Sequence, residues 1–425
     1  MNEILLQFIW QYSLYNPQQL STTTGEPVTV IHPGRRNTDA GPDFFEARIR
    51  IGQTLWVGNV ELHVHTSHWK QHGHEHDAAY HNIILHVVYR NDVAHPPEYF
   101  PLLELGPQIP AYVIHKYTHL VQADRQLPCA GELHKVSSIV KESWLNRLLA
   151  ERWEQKLSEW QQLLRRSAGD WQLLFYWTLA GNFGFRVNAA AFIQLAQSLP
   201  LYILARHRGN ALQTEALLFG QAGFLEQAFE ETYPQLLQKE YHYLRRKYSL
   251  QPIPVHLWKF MRMRPANFPT VRIAQFAVLI QQSVHLFSQI IETTSIAGMM
   301  QLFDVTAGEY WDTHCRLDEP AKNVSPKHLG PTSVHNIIIN TVAPIRFLYA
   351  LQHGQSLQQE RALQLLEELP AEENNVLAVW ATHGWTAENA AQSQSQIQLF
   401  RKYCSSKRCL ECSIGLSIVR SGPDK

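Results

Sequence analysis

The chain has little charge, and what it has is balanced. Asp, Glu, Lys and Arg make up only 17% of its 425 residues, and 37 basic side chains meet 37 acidic ones. No global field steers it toward nucleic acid, so any such surface must be a local patch. Cysteine is scarce, with five in all and three of them in the last 25 residues, which excludes a secreted disulfide framework. There is also no uninterrupted apolar run of about 18 residues, the length a membrane span requires. The opening segment MNEILLQFIWQYSLY lacks a basic stretch and carries Glu3 inside its apolar face, so it reads as an amphipathic helix and not as a signal peptide. These absences lead to the expectation of a cytoplasmic protein with no membrane association. What is present is an ordinary globular composition, 45% apolar, over a length that suits two or three domains.

The first 120 or so residues alternate strand and helix patterns. A helix is expected over 3–14, then a hairpin of 20–24 and 28–32 around Gly25. Over 44–51, Phe45, Ala47, Ile49 and Ile51 share one face of a strand and Glu46, Arg48 and Arg50 the other. Gly52-Gln53 turns the chain into a strand over 54–65. Its Trp56, Val60, Leu62 and Val64 should face a core, and its other face runs from apolar Leu55 and Val57 to polar Asn59, Glu61, His63 and His65. Ser67 is placed to cap a helix over 68–80, and 83–89 reads as a buried strand interrupted by His86. From Ser137 onward the period becomes helical, as in Trp144, Leu145, Leu148, Leu149, Trp153, Leu157, Trp160 and Leu164. The expected organisation is α+β. It comprises an N-terminal domain over 1–125, an all-helical domain over 126–403 and a cysteine-containing tail over 404–425.

The chemistry concentrates in Pro42-Asp43 at the start of one strand and Glu61-x-His63 on the next. Two carboxylates at the edge of a small sheet are a means of holding a divalent cation against a phosphodiester. The spacing resembles the PD-(D/E)xK nuclease superfamily, with His63 where that family has lysine. The order helix, three strands, helix, strand is similar to its αβββαβ restriction-endonuclease-like core. The resemblance implies a metal-dependent nuclease acting on DNA or RNA. Asp43 and Glu61 would then ligate Mg²⁺ or Mn²⁺, and the catalytic set would be Asp43, Glu61 and His63. Neutral His63 would serve as general base, protonated His63 would replace part of the lysine's charge, and as a ligand His63 would shift preference toward Mn²⁺ or Zn²⁺. Asn37 and Asp39 are close enough to support the pocket, or they hold a turn.

Eight of the 22 histidines fall between residues 63 and 86. On the expected helix His72 and His76 lie four apart, the spacing for two ligands to one zinc. His65, His72 and Asp77 join the supporting candidates. The cluster leaves open a second class of function, a zinc-dependent hydrolase, beside a third in which the nuclease fold is an inactive nucleic-acid or protein-binding module. Cys404, Cys409 and Cys412 are spaced as a half-site for structural Zn²⁺ or an iron–sulfur cluster, with Cys315, Cys129, His314 or His383 as the fourth ligand and Cys315 taken first. Residues 239–272 carry eight Lys and Arg against one acid, interleaved with aromatics. Arg245, Arg246, Lys247, Arg264 and Arg272 are therefore the nucleic-acid contact candidates, against the simpler reading of a solvated helix face. Taken together, NTDAGPDF, GNVELH, HNIILHVVY, RPANFP and KRCLECSIG are similar, nearly full length, to one bacterial domain-of-unknown-function family, DUF2851.

Overall fold

The computed structural model describes residues 1–95, 100–123, 126–283 and 285–422, apart from the side chain of Glu75. It is a mixed α+β protein. The chain forms two compact units, one of residues 1–145, 382–385 and 398–425, the other of 146–381 and 386–397.

The first unit is built on a mixed sheet. After helix α1 (Glu3–Gln11) come strands β1 (Val28–His32), β2 (Arg35–Arg36), β3 (Phe44–Ile51), β4 (Thr54–His65), β5 (Ile83–Arg90) and β6 (Leu102–Glu104). The strand order is β1-β3-β4-β5-β6, with β2 paired to β3 off this path. The pairs β1–β3 and β3–β4 are antiparallel, whereas β4–β5 and β5–β6 are parallel. Parallel pairing needs a crossover, here supplied by residues 66–82 between β4 and β5. The expected 20–24 hairpin strand is reduced to isolated bridges, Ser21 to Pro27 and Thr22 to Leu103.

Alternation in β3 is broken by a bulge. The register slips between Phe44 and Ala47, and Glu46 sits at φ +58°. One extra residue moves Phe44, and not Phe45, onto the buried face with Ala47, Ile49 and Ile51. In β4 the expected core residue Trp56 is 42% exposed, along with Leu55 and Val57. The cause is register: β5 pairs with β4 only from Asn59 onward, so the first residues of β4 have a strand on one side alone. The second half is the buried half, and it includes Glu61 and His63.

The helix expected over 68–80 stops early. Helix α2 covers His68–Gln71, and Gly73 then adopts φ +72°, which breaks the helical path before the single turns His74–His76 and Ala78–Tyr80. His72 and His76 are therefore not one helical turn apart. Helix α3 (Ala111–Gln122) follows β6, and helix α4 (Ser138–Arg166) begins in this unit. The segment expected as a separate tail belongs to this unit as well. Helix Ser413–Arg420 buries Ile414, Ile418 and Val419 and packs on α3, while Lys116 of α3 donates to Ser421 and Gly422. An apolar face of that size has to be covered, which is why the segment does not hang free.

Among its described residues the second unit is helical apart from isolated bridges and a two-stranded ribbon, β7 (His314–Arg316) with β8 (Glu319–Pro320). The three- and four-residue spacing along α4 puts Trp153, Leu157, Trp160 and Leu164 into its core beside Phe183, Phe192, Phe219, Phe276 and Trp311. One helix, Pro331–Gln352, is long and apolar enough by length and composition to cross a membrane, and 67% of its most apolar window is buried inside the fold.

Candidate metal centre

The candidate site lies where β3, β4, β5, α1 and the β4–β5 crossover meet. Phe44 is registered opposite Val60, so Asp43 falls beside Glu61 at the mouth of the bulge. The Asp43 backbone N–H donates to Glu61 Oε2 at 3.0 Å, and the Leu62 N–H donates to Asp43 Oδ2 at 3.0 Å. This reciprocal clasp fixes both carboxylates. Gln7 of α1 donates to Asp43 Oδ1 at 2.7 Å, and Arg36 in turn donates to Gln7 Oε1.

The other Glu61 oxygen faces histidines. Oε1 lies 3.6 Å from His63 Nε2 and 3.5 Å from His74 Nε2, and His63 Nε2 is 3.2 Å from His72 Nδ1. Ligand atoms held at 2.0–2.1 Å around one tetrahedral ion stand roughly 3.4 Å apart, so these separations suit a shared cation. The ring nitrogens of His63, His72 and His74 lie within 4.8 Å of one another, and so do the ligand atoms of Glu3, His68 and His72. The two triads share His72. Buried His74 Nε2 has no hydrogen-bond partner among the described residues, which leaves a donor atom aimed at the cluster.

Around these side chains is a wall that sets their electrostatics. His86 on β5 places Nε2 2.9 Å from His63 Nδ1. With the proton on His63 Nδ1, the Nε2 lone pair points toward Glu61 and His72, the usual arrangement of a ligand histidine oriented from behind. Trp69 packs edge-on against His63 and beside His74 and His86, and Tyr80 stacks on His74 at 3.9 Å. Burial pushes the Glu61 carboxyl up to about 9, with the neighbouring Asp43 charge adding to it. Burial likewise raises Asp43 to about 6 against the hydrogen bonds from Leu62 and Gln7. Burial, then repulsion from the surrounding histidines, takes His63 down to about 2, and the same causes take His86 down to about 3. The result is two carboxylates that resist ionising together and a set of neutral imidazoles. Such a group is stabilised by a cation.

The other expected residues divide. Asn37 holds the 37–42 turn by donating to the carbonyls of Asp39, Ala40 and Pro42, and its own backbone N–H donates to the Asp43 carbonyl. Asp39 is exposed and takes part only through its backbone. His65 contacts the ring of His68 at the rim, and Asp77 caps the turn at Ala79. Glu3, Gln7, His68 and His74 were missed. Glu3 and Gln7 are i, i+4 polar residues on an otherwise apolar helix face, a pattern that marks an inward-facing polar pair.

In the second unit Arg272 is buried and already engaged. It donates to Gln275, Asn267 and Ser333 and covers the Phe185 ring, so as a phosphate contact it is corrected to a structural residue. Arg245 pairs with Glu226, Lys247 lies over Tyr248, and Arg246 and Arg264 are exposed. Cys315 also belongs to the second unit, whereas Cys404, Cys409 and Cys412 belong to the first, as does Cys129. Cys129 therefore replaces Cys315 as the thiol grouped with them. His314 is occupied by Glu231 and the Tyr310 carbonyl, and His383 is exposed.

No curated protein and no solved structure matches the chain. A family model described as a protein of unknown function (DUF2851) matches residues 3–375, and on that match the chain belongs to this family.

Proposed function

We propose that the first unit is a metal-dependent phosphodiester hydrolase of the nuclease type, with a restriction-endonuclease-like core. The observation that carries this reading is the meeting of Glu61 Oε1 with His63 and His74, and of His63 with His72, beside a second carboxylate, Asp43. The sheet supports it. Three long strands run antiparallel in chain order, then a crossover leads to a parallel fourth, with Asp43 opening the second long strand and Glu61-x-His63 on the third, an arrangement that resembles such a nuclease core.

In this reading Glu61, His63, His72 and His74 hold one divalent ion. Three imidazoles and a carboxylate favour Mn²⁺ or Zn²⁺ over Mg²⁺, which prefers oxygen ligands. The ion would supply an acidified water and offset charge on the scissile phosphate. Asp43, fixed by Gln7 and Leu62, stands next to Glu61 as the group that orients the nucleophile. His86 fixes the tautomer of His63, and Trp69 and Tyr80 pack against His63 and His74. In this reading His63 serves as one of the ligands and not as a substitute for a lysine. The exposed Arg246, Lys247 and Arg264 are the proposed nucleic-acid contacts in the second unit.

The test is cleavage of single- and double-stranded DNA and RNA, and of bis(p-nitrophenyl) phosphate, with Mn²⁺, Zn²⁺ or Mg²⁺. Wild type is compared with Asp43→Ala, Glu61→Ala and His63→Ala. Metal-dependent cleavage lost in all three variants is expected, with Mn²⁺ or Zn²⁺ the better cofactor. Equal cleavage by wild type and variants would overturn the assignment.

A further inference from the structure

Four of the five cysteines lie in the first unit and are buried: Cys129, Cys404, Cys409 and Cys412. None is in a disulfide. They arrive on different pieces of chain. Cys129 precedes the turn Ala130–Lys135, which packs on the helix Ser413–Arg420, so the distant cysteine is carried to the late ones by ordinary packing. Cys404 ends the wide turn Phe400–Cys404, and Cys409 opens the turn Cys409–Glu411 that contacts it. Were they ionised, each of the four would repel the other three, so the thiols lie near one another.

Local backbone geometry is arranged around sulfur. The Cys412 N–H reaches the Cys409 carbonyl, and the Cys412 thiol receives the backbone N–H groups of Ile414 and Gly415. Amides aimed at a sulfur two and three residues back stabilise thiolate character, as hydrogen bonds to a charged form do in general. Gly415 is required by this turn, because a Cβ there would sit 2.1 Å from the Cys409 carbonyl oxygen. Buried thiols with no cation resist ionising, and burial holds Cys129 and Cys409 up at about 12. As plain apolar residues the four would need neither convergence nor amides directed at sulfur.

We propose that Cys129, Cys404, Cys409 and Cys412 form a four-thiolate centre for a thiophilic metal, separate from the histidine site and joining residues 129–135 to residues 400–420. A single zinc at 2.3 Å from each sulfur would hold them roughly 3.8 Å apart. Among the described residues no three of these sulfurs all lie within 4.8 Å of one another. The wider spacing favours an iron–sulfur cluster, whose own sulfides separate its cysteine ligands.

The experiment is anaerobic purification of the full chain, with iron, zinc and acid-labile sulfide measured per chain and the visible spectrum recorded. Iron and sulfide in stoichiometric amounts, retained by His63→Ala and Cys315→Ser and lost from Cys129→Ser and Cys412→Ser, is the expected result. One zinc per chain, released by a thiol-blocking reagent in wild type and His63→Ala alike, also establishes the centre and identifies a single ion. Wild-type protein with neither metal, or with metal that Cys129→Ser retains while His63→Ala loses it, overturns the proposal. The wild-type measurement stands even if a cysteine variant fails to fold. Because the readout is metal and sulfide, it is independent of whether the histidine site cleaves phosphodiesters.

Discussion

His86 shows how far a single side chain acts through another. It does not face Glu61, yet it holds the ring of His63 from behind. Removing a group that orients a ligand histidine costs about 10–100-fold in metal affinity or activity. We therefore expect His86→Ala to weaken Mn²⁺ or Zn²⁺ binding by about that factor while Glu61→Gln abolishes it, as read by isothermal calorimetry. Equal affinities in wild type and His86→Ala would remove His86 from the site. Asp43, Glu61 and His63 were legible as a group because short-range spacing on two adjacent strands fixes who meets whom. His74 and Glu3 were not. Whether His74 faces the sheet depends on the left-handed Gly73 that stops α2, and Glu3 arrives from a helix whose packing no local pattern encodes.

At the level of the element, the bulge in β3 sets where Asp43 stands. The extra residue is Glu46, exposed and at φ +58°, a conformation that a side chain with a Cβ adopts at a cost of about 1 kcal/mol. Glu46→Gly should therefore be neutral to stabilising by up to about 1 kcal/mol, and Glu46→Val should be destabilising. Deleting Glu46 restores strict alternation with Phe44 still opposite Val60 on the buried face, so the Asp43 clasp is kept. Metal binding should therefore be retained in all three proteins, which metal titration checks, and its loss on deletion would show that the site needs the bulge itself. Periodicity gave both strands their correct ends, 44–51 and 54–65. It misplaced Phe45 and Trp56, because a bulge and the reach of a neighbouring strand are properties of pairing and not of one strand's pattern. Helix α4 shows the converse: its three- and four-residue spacing marked the buried Trp153, Leu157, Trp160 and Leu164 directly.

For the molecule as a whole, each unit carries a distinct liability. In the second unit the Lys156 ammonium donates to the Asn340 carbonyl at 2.7 Å, and burial, then Arg152, lowers it to about 7. A lysine depressed in the fold binds its proton more weakly than in the unfolded chain, so its cost is greatest below pH 7 and fades as pH rises toward 10.5. Lys156→Met should accordingly stabilise the unit most at or below pH 7, with the gain over wild type shrinking by pH 9.5. Urea midpoints at the two pH values measure this, and a gain that does not change with pH would contradict it. In the first unit, a chain stopped at residue 403 loses the helix over α3 and the Lys116 contacts. We expect that shortened chain to lose metal binding at the histidine site, and the second unit to keep its own unfolding transition in calorimetry.

That the second unit is encoded inside the first has a consequence for the order of events at the ribosome. Residues 1–145 emerge early but are completed only by residues 398–422, so the middle of the chain is free to finish folding while the sheet with its carboxylates and histidines still waits for its last helix. A nascent chain would thus carry a finished helical unit and an unfinished sheet unit, with the candidate site incomplete until translation has passed the last cysteine.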